Sequence, residues 1–179
     1  MNGMDVEQVD SYKFLGVMID NNLTWKKHKT YVSKKIVRNI GLLYKARNIL
    51  SLKEMIGQYN SFVLPYLLYC LPVWGHTVQS KKDPIVKIQN RAMRVIANVS
   101  RTVDAIKILR QEILSVKQLH KLELCKLVYD YRKANLPTPV MQIFTDPIDN
   151  ERKTRTTISH KLRLLNVKTT NEKVRLYNQ

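Results

Sequence analysis

The chain has 179 residues and a formal net charge of +17, because 31 Lys and Arg stand against 14 Asp and Glu. Such an excess repels itself unless a polyanion neutralises it, so we favour nucleic acid as the partner over an anionic membrane surface or an acidic protein. The 44% hydrophobic content excludes a disordered basic tail, and five glycines and six prolines are too few for a loop-rich all-β fold.

The sequence indicates an intracellular protein of the nucleus or cytoplasm, neither secreted nor transmembrane. The N-terminus lacks the basic and apolar regions of a signal peptide. The longest apolar run, residues 62–74, is too short to span a bilayer and contains Pro65 and Pro72. Cys70 and Cys125 lie far apart in apolar stretches, which is typical of reduced thiols rather than a disulfide framework.

The first predicted element is a β-hairpin. Residues 12–20 alternate with the period of a strand, and residues 6–9 are a candidate partner strand. A lone hairpin is marginal in water, so we expect this one to pack on other elements. The residues predicted to share one face are Leu15, Val17 and Ile19.

From Thr24, the expected capping residue, the apolar period becomes helical. No acid occurs between Asp20 and Glu54, so the basic residues of this helix have no local ion-pair partner. The predicted buried stripe consists of Trp25, Val32, Ile36, Ile40, Leu43 and Leu50. The opposite stripe consists of Lys27, Lys34, Arg38 and Lys45.

Further helices follow. Ser51 and Glu54 have the spacing of a capping box, and Pro65 is expected to kink or divide the helix that they begin. Asp83 precedes Pro84 at the start of another helix, where an apolar arc faces away from Lys87, Arg91 and Arg94. A short helix is predicted over residues 102–111. A longer one over residues 115–134 is apolar around most of its circumference, which predicts a position at the centre of the core.

The predicted fold is mainly α, with an N-terminal β-hairpin, a bundle of about five helices and a basic, partly irregular C-terminal tail. The predicted divisions are residues 1–22 for the hairpin, 23–136 for the helical region and 137–179 for the tail. The break before the tail is indicated by Leu136-Pro137-Thr138-Pro139.

The sequence predicts no catalytic residue, no metal site and no cofactor. Its histidines and cysteines lack metal-ligand spacing, so His28 and His120 are interpreted as satisfied interfacial side chains. Asp146 and Asp149 are better interpreted as a turn than as Mg²⁺ ligands, since no third acid lies near them. Trp25 and Trp74 are expected to be packing anchors. Most of six tyrosines are also assigned to the core: Tyr12, Tyr31, Tyr44, Tyr59, Tyr66 and Tyr69.

Several ordered segments together resemble the reverse transcriptases of non-LTR (LINE, jockey- or CR1-like) retrotransposons. Residues 13–28, with Phe14-Leu15-Gly16, Leu23-Thr24-Trp25 and His28, resemble the stretch that closes the polymerase region. Residues 59–75, ending in Trp74-Gly75, and residues 88–96, beginning Ile88-Gln89-Asn90-Arg91, are similar to later segments of the same proteins. Thr154-Arg155 matches a pair found further along.

The resemblance implies the palm edge and thumb of a polymerase. Phe14, Leu15 and Gly16 would match the primer-grip hairpin, and the following helices would hold a template–primer duplex through its phosphates. The implied nucleic-acid-binding residues are the basic stripes found from periodicity: Lys27, Lys34, Arg38, Lys45, Lys87, Arg91 and Arg94.

The departures from the family are equally specific. The aromatic-x-Asp-Asp signature is absent, so we expect a fragment that begins in mid-palm and is inactive alone, with Mg²⁺ belonging to the missing palm. The expected partners are RNA, DNA or an RNA–DNA hybrid and the missing polymerase portions, with no membrane; the oligomeric state stays open. The alternative is a basic helical structural or interaction protein that docks acidic proteins. An independent enzyme would require a metal site.

Overall fold

The computed structural model describes residues 9–78, 80–100, 108–109, 111–142, 144–145 and 163–164. The chain divides into two compact units, Met1–Leu124 and Cys125–Gln179. The predicted mainly α class with an N-terminal hairpin is confirmed. The described strands are β1 (Ser11–Phe14), β2 (Val17–Asp20), β3 (Phe144–Thr145) and β4 (Arg163–Leu164). The described α-helices are α1 (Lys26–Ala46), α2 (Leu52–Phe62), α3 (Leu64–Leu68), α4 (Leu71–Trp74), α5 (Pro84–Ile96), α6 (Val116–Arg132) and α7 (Thr138–Met141), and a 3-10 helix covers Gly75–Thr77.

The hairpin turns in the middle of the segment predicted as one strand. β1 pairs antiparallel with β2, and the two-residue turn between them is Leu15-Gly16. Both turn residues have positive φ, 44° and 85°, the conformation that fits the twist of a tight hairpin and that Gly16 adopts without strain. The single strand over residues 12–20 was therefore a wrong prediction, as was the face shared by Leu15, which is 75% exposed. Of the proposed partner strand, residues 6–8 lie outside the described residues.

A carboxylate, not Thr24, organises the entry to α1. The N-cap residue is Trp25, and Thr24 Oγ1 accepts only a long 3.5 Å hydrogen bond from the Lys26 N–H. The buried Asp20 carboxylate instead accepts from the N–H groups of Thr24 at 2.8 Å and Trp25 at 2.9 Å. Burial raises the pKa of Asp20, but hydrogen bonds from Thr24, Trp25 and Asn22 outweigh this effect and lower the pKa below its usual value.

The first unit is built on one hydrophobic core, and the predicted apolar stripe of α1 belongs to it. Its first five members are buried and Leu50 packs against them, so this prediction is confirmed. The capping box of α2 is also confirmed, because Glu54 Oε2 accepts from the Ser51 N–H at 2.8 Å while Ser51 Oγ accepts from the Glu54 N–H. α2 ends at Phe62, and Pro65 lies in the first turn of α3, so the proline divides the predicted helix.

α5 begins where the sequence predicts. Asp83 Oδ1 accepts from the Ile85 N–H at 2.9 Å, and Pro84 occupies the first turn. Lys29 Nζ of α1 lies 2.9 Å from Asp83 Oδ2, and both side chains are largely buried. This ion pair fixes α1 to the start of α5, and the two helices pack against each other.

α6 begins next to Ser115, as predicted, but does not lie at the centre of the core. Ser115 and Gln118 form a capping box at its start. The Ser115 N–H donates to Gln118 Oε1 at 2.9 Å, and the Gln118 N–H donates to Ser115 Oγ. Only Val116 and Leu119 of this helix are buried, and Leu122 is exposed. The prediction is wrong because the later apolar side chains of α6 are half-buried or exposed, and none of them is a member of the hydrophobic core.

The second unit is described only in part. The Tyr131 ring stacks on Phe144 at 4.6 Å between centroids, and β3 pairs antiparallel with β4. Most of the predicted helix over residues 102–111 and most of the predicted tail lie outside the described residues. The predicted domain boundaries stay predictions. In the part of the chain that is described, no helix is long and apolar enough to cross a bilayer.

Candidate nucleic-acid interface

The basic stripe of α1 is an exposed face opposite the core. Lys27, Lys34, Arg38 and Lys45 are all exposed, and at 100° per residue they lie across the helix from buried His28, Val32, Ile36, Ile40 and Leu43. Lys27 Nζ donates a 2.8 Å hydrogen bond to Ser11 Oγ, which joins the stripe to β1.

No carboxylate among the described residues neutralises the charge of this stripe. Among the described residues, none of its four side chains has a carboxylate within 4 Å. The nearest acid before the helix, Asp20, is buried, and its oxygens accept backbone N–H groups. Like charges three and four residues apart destabilise an isolated helix by about 0.2–0.5 kcal/mol per pair, so a bound polyanion would stabilise this face.

The α5 stripe has the same design. Lys87 and Arg91 are exposed and Arg94 is half-buried. They lie across the helix from the buried face, which contains Ile85, Gln89, Ala92, Met93 and Ile96.

The hairpin tip contacts Tyr69 of the helical region, and its apolar side chains are exposed. Phe14 and Leu15 are exposed, and the Tyr69 hydroxyl, between α3 and α4, donates to the Leu15 carbonyl oxygen. A Cβ added to Gly16 would lie 3.5 Å from the Tyr69 ring. The tip that the resemblance implicates is thus fixed to the helical region rather than free.

The tyrosines depart from their predicted core positions. Tyr59 is buried, but four are exposed and Tyr31 is half-buried. The Tyr31 ring contacts two lysine ammonium groups, with Lys13 Nζ at 5.1 Å and Lys35 Nζ at 5.7 Å from its centroid. The sequence contained one indication of this contact, because Tyr31 lies four residues from Lys27 and four from Lys35 on α1. The four exposed rings are Tyr12, Tyr44, Tyr66 and Tyr69.

Gln89 is a buried hydrogen-bonding centre that sequence reasoning missed. Its Nε2 donates to Tyr59 Oη and to the Leu114 carbonyl, each at 2.9 Å, and its Oε1 accepts from the Val116 N–H at 2.9 Å. Burial raises the pKa of Tyr59 to about 12, against the lowering effect of the Gln89 hydrogen bond. Gln89 therefore connects α2, α5 and the start of α6.

His28 is a buried member of the core. Its ring lies edge-on to Trp74, with centroids 5.4 Å apart, and to Trp25 at 6.3 Å, so both tryptophans are packing anchors as predicted. Its Nδ1 accepts a 3.3 Å hydrogen bond from the Met18 N–H, while its buried Nε2 has no partner. The interpretation as a satisfied histidine is therefore wrong for one nitrogen. Burial lowers the pKa of His28.

The free energy of unfolding is expected to fall as pH drops below about 6.5, the ordinary histidine pKa. The unfolded chain protonates His28 at that pH, whereas the folded chain does so only at a lower pH, so the stability contributed by the neutral ring is lost on acidification. One histidine gives a slope of at most about 1.4 kcal/mol per pH unit. Urea unfolding from pH 7.5 to 5 measures it. His28→Leu should flatten the dependence of the free energy of unfolding on pH. Burial also lowers the pKa of His120, so His120→Ala is the second comparison. If His28→Leu leaves the pH dependence unchanged, the assignment to His28 is wrong.

Within the described residues, no group of three His, Cys, Asp or Glu side chains is placed to hold a metal ion. The candidate pair Asp146 and Asp149 lies outside those residues.

Comparison with known proteins finds retrotransposon polymerases. The RNA-directed DNA polymerase from mobile element jockey of Drosophila funebris is 30% identical over 100 residues, which is 54% of this chain and 11% of that protein. The probable RNA-directed DNA polymerase from transposon X-element of Drosophila melanogaster is 33% identical over 95 residues, which is 51% of this chain and 10% of that protein. This chain resembles a segment of non-LTR retrotransposon polymerases.

The retrotransposon match covers about a tenth of the length of these polymerases. A second kind of relative is the ribosomal RNA small subunit methyltransferase J of Aliivibrio salmonicida, 23% identical over 104 residues, which is 58% of this chain and 39% of that protein. Its identity is lower than that of the two polymerases. No family model matches the chain. No solved structure matches it either.

Proposed function

We propose that this retrotransposon-polymerase segment holds a template–primer duplex of nucleic acid by its phosphates, as a thumb does. The observation that carries the proposal is the α1 stripe, four exposed cations that have no carboxylate of the described residues within 4 Å and lie on a face directed away from the core. Binding is mainly electrostatic and independent of base sequence, because nothing in such a stripe reads base edges.

The dimensions of the stripe suit a duplex. Lys27 and Lys45 are 18 residues apart, and a rise of about 1.5 Å per residue separates them by about 27 Å. That distance approaches one turn of a duplex, about 34 Å, so the stripe can contact several phosphates. The α5 stripe, with Lys87, Arg91 and Arg94, supplies further cations in this proposal.

The hairpin tip has the primer-grip role in this proposal. Phe14 and Leu15 stand exposed on a turn that Tyr69 fixes to the helices, so apolar and backbone contacts can position a strand end. RNA-directed DNA synthesis is the activity named for the relatives. We assign no catalytic step to the residues of this chain.

A salt titration of binding to an RNA–DNA hybrid tests the proposal. We expect the logarithm of the binding constant to fall linearly with the logarithm of salt concentration, by about 0.9 per neutralised phosphate on a duplex. Lys34→Glu with Arg38→Glu should weaken binding to all sequences about equally and make the slope shallower by about 2. Lys53→Glu, an exposed lysine of α2 outside both stripes, is the matched control.

Two results would contradict the proposal. One is a flat salt dependence or no binding at low salt. The other is binding that the double charge reversal leaves intact. If an acidic protein protects the chain from proteolysis while nucleic acid does not, the basic faces serve as a protein-docking surface instead.

A further inference from the structure

We propose that the junction of β1 and α1 is an additional phosphate-binding site, centred on Tyr31, in which Lys13 and Lys35 hold the backbone of a nucleic-acid strand. This inference rests on the proposed function and adds to it Lys13, Tyr31 and Lys35, which were not among the predicted nucleic-acid-binding residues. The site is called the Tyr31 site below, and consists of Tyr31 with Lys13, Lys27, Lys34 and Lys35.

Two ammonium groups converge on one ring at this site. Lys13 reaches Tyr31 from β1 and Lys35 reaches it from the next turn of α1. Since the two Nζ atoms lie 5.1 and 5.7 Å from one centroid, they are less than about 11 Å apart. Phosphates along one strand of a duplex rise by about 3.4 Å each, so the two lysines reach phosphates that are at most about three steps apart on that strand.

The α1 stripe continues into the site. Lys27 lies four residues before Tyr31 and Lys34 three residues after it, so both flank the ring on the helix surface. The hydrogen bond from Lys27 to Ser11 fixes that end of the stripe to β1, the strand that carries Lys13. A polyanion lying along the α1 stripe therefore meets the Tyr31 site without changing direction.

The charge of the site is uncompensated. Among the described residues, no carboxylate lies within 4 Å of Lys13, Lys27, Lys34 or Lys35. Asp20, the acid of the paired strand, is buried and accepts two backbone N–H groups, while Asp10 is an exposed residue before β1. Four cations around one ring repel one another, and a phosphate removes that repulsion.

The Tyr31 ring carries no charge, and its role in the site is to position the two lysine ammonium groups. A lysine side chain loses rotamer freedom when it binds, and cation–π contact with Tyr31 restrains both ammonium groups beforehand. Loss of a lysine and loss of the ring therefore have different signatures. Removing a lysine changes the number of phosphates neutralised, whereas removing the ring changes affinity alone.

Fluorescence anisotropy with a labelled RNA–DNA hybrid over a range of salt concentrations separates these roles. Lys13→Gln with Lys35→Gln should make the slope of log affinity against log salt shallower by about 1.8, at about 0.9 per phosphate. Tyr31→Leu should lower affinity severalfold and leave the slope unchanged. Lys13→Arg with Lys35→Arg retains both charges and should retain the slope. Lys53→Gln with Lys81→Gln, two exposed lysines outside the site, is the matched control.

Each outcome decides the matter. A steep wild-type slope that the double Gln variant does not change overturns the Tyr31 site and leaves the α1 stripe in place. A flat wild-type slope overturns both proposals. Equal losses in the Gln and Arg variants, with an altered circular dichroism spectrum, assign the lysines to folding and also overturn the site. Binding of polyglutamate but not of nucleic acid would assign the surface to an acidic protein.

Discussion

Replacing Gln89 with Leu is expected to lower the free energy of unfolding by about 3–5 kcal/mol, since each buried polar group left unpaired costs about 1–3 kcal/mol. The amide of Gln89 makes three hydrogen bonds, to Tyr59, Leu114 and Val116, and leucine can make none of them. The Val116 N–H is buried at the start of α6, and Tyr59 is fully buried. Two groups are therefore left without partners inside the core.

Urea unfolding followed by circular dichroism measures this loss. Gln111→Leu is the matched control, because Gln111 is exposed and should change stability by less than about 0.5 kcal/mol. Tyr59→Phe removes one partner and spares the other two, so its cost should be clearly smaller than that of Gln89→Leu. A loss below about 1 kcal/mol for Gln89→Leu would show that Gln89 does not hold α6 to the core.

Gly75→Ala is expected to destabilise the protein by about 1–3 kcal/mol, the usual cost of overpacking a filled site. An added Cβ would lie 2.5 Å from His120 Cδ2, 2.9 Å from His120 Cγ and 3.0 Å from Leu71 Cδ1. His120 is half-buried, so its ring has little room to move away from the added Cβ. The substitution therefore forces the 3-10 helix that begins at Gly75 away from α6.

Two other glycines provide the control. A Cβ at Gly41 or Gly57 meets nothing within 4 Å, and both positions are inside helices. Gly→Ala there should stabilise the protein by about 0.5–1 kcal/mol, the opposite sign. In a His120→Ala background the cost of Gly75→Ala should largely disappear, as a double-mutant cycle of contacting residues requires. An undiminished cost in that background would exclude the clash with His120 as its cause.

Many residues that carry the retrotransposon resemblance have structural contacts in this chain. Asp20 organises the start of α1, His28 and Trp74 pack together, and Gln89 connects three helical segments. Gly75 makes room for His120. These residues therefore have structural roles in this chain, and their resemblance to the polymerases does not by itself identify a site on the surface.

Local chemistry accounts for the elements that the sequence predicted correctly. The capping boxes at Ser51 and Ser115 and the Asp83-Pro84 start depend on residues at most three positions apart. The position of the hairpin turn was not predicted, because the alternation of apolar and polar residues continues across Leu15-Gly16. The positive φ of both residues nevertheless reverses the chain there. Gly16 was the only local sign of this turn.

The candidate nucleic-acid interface also has one part that the sequence predicted and one part that it did not. Periodicity alone placed Lys27, Lys34, Arg38 and Lys45 on one exposed helical face, since side-chain direction on a helix follows from position. It could not find the contact of Lys13 with Tyr31, because that contact joins residues 18 positions apart on a strand and a helix.

Four features follow from composition and short-range order alone: the excess of positive charge, the helical class, most helix starts and the exposed basic faces. Which polar side chains are buried and which tyrosines are exposed depends instead on long-range packing. The burial of Gln89 and His28 depends on contacts with α6 and with the two tryptophans, because burial is set by neighbours that are distant in sequence. The same long-range packing brings β1 to α1 and gathers the lysines around Tyr31.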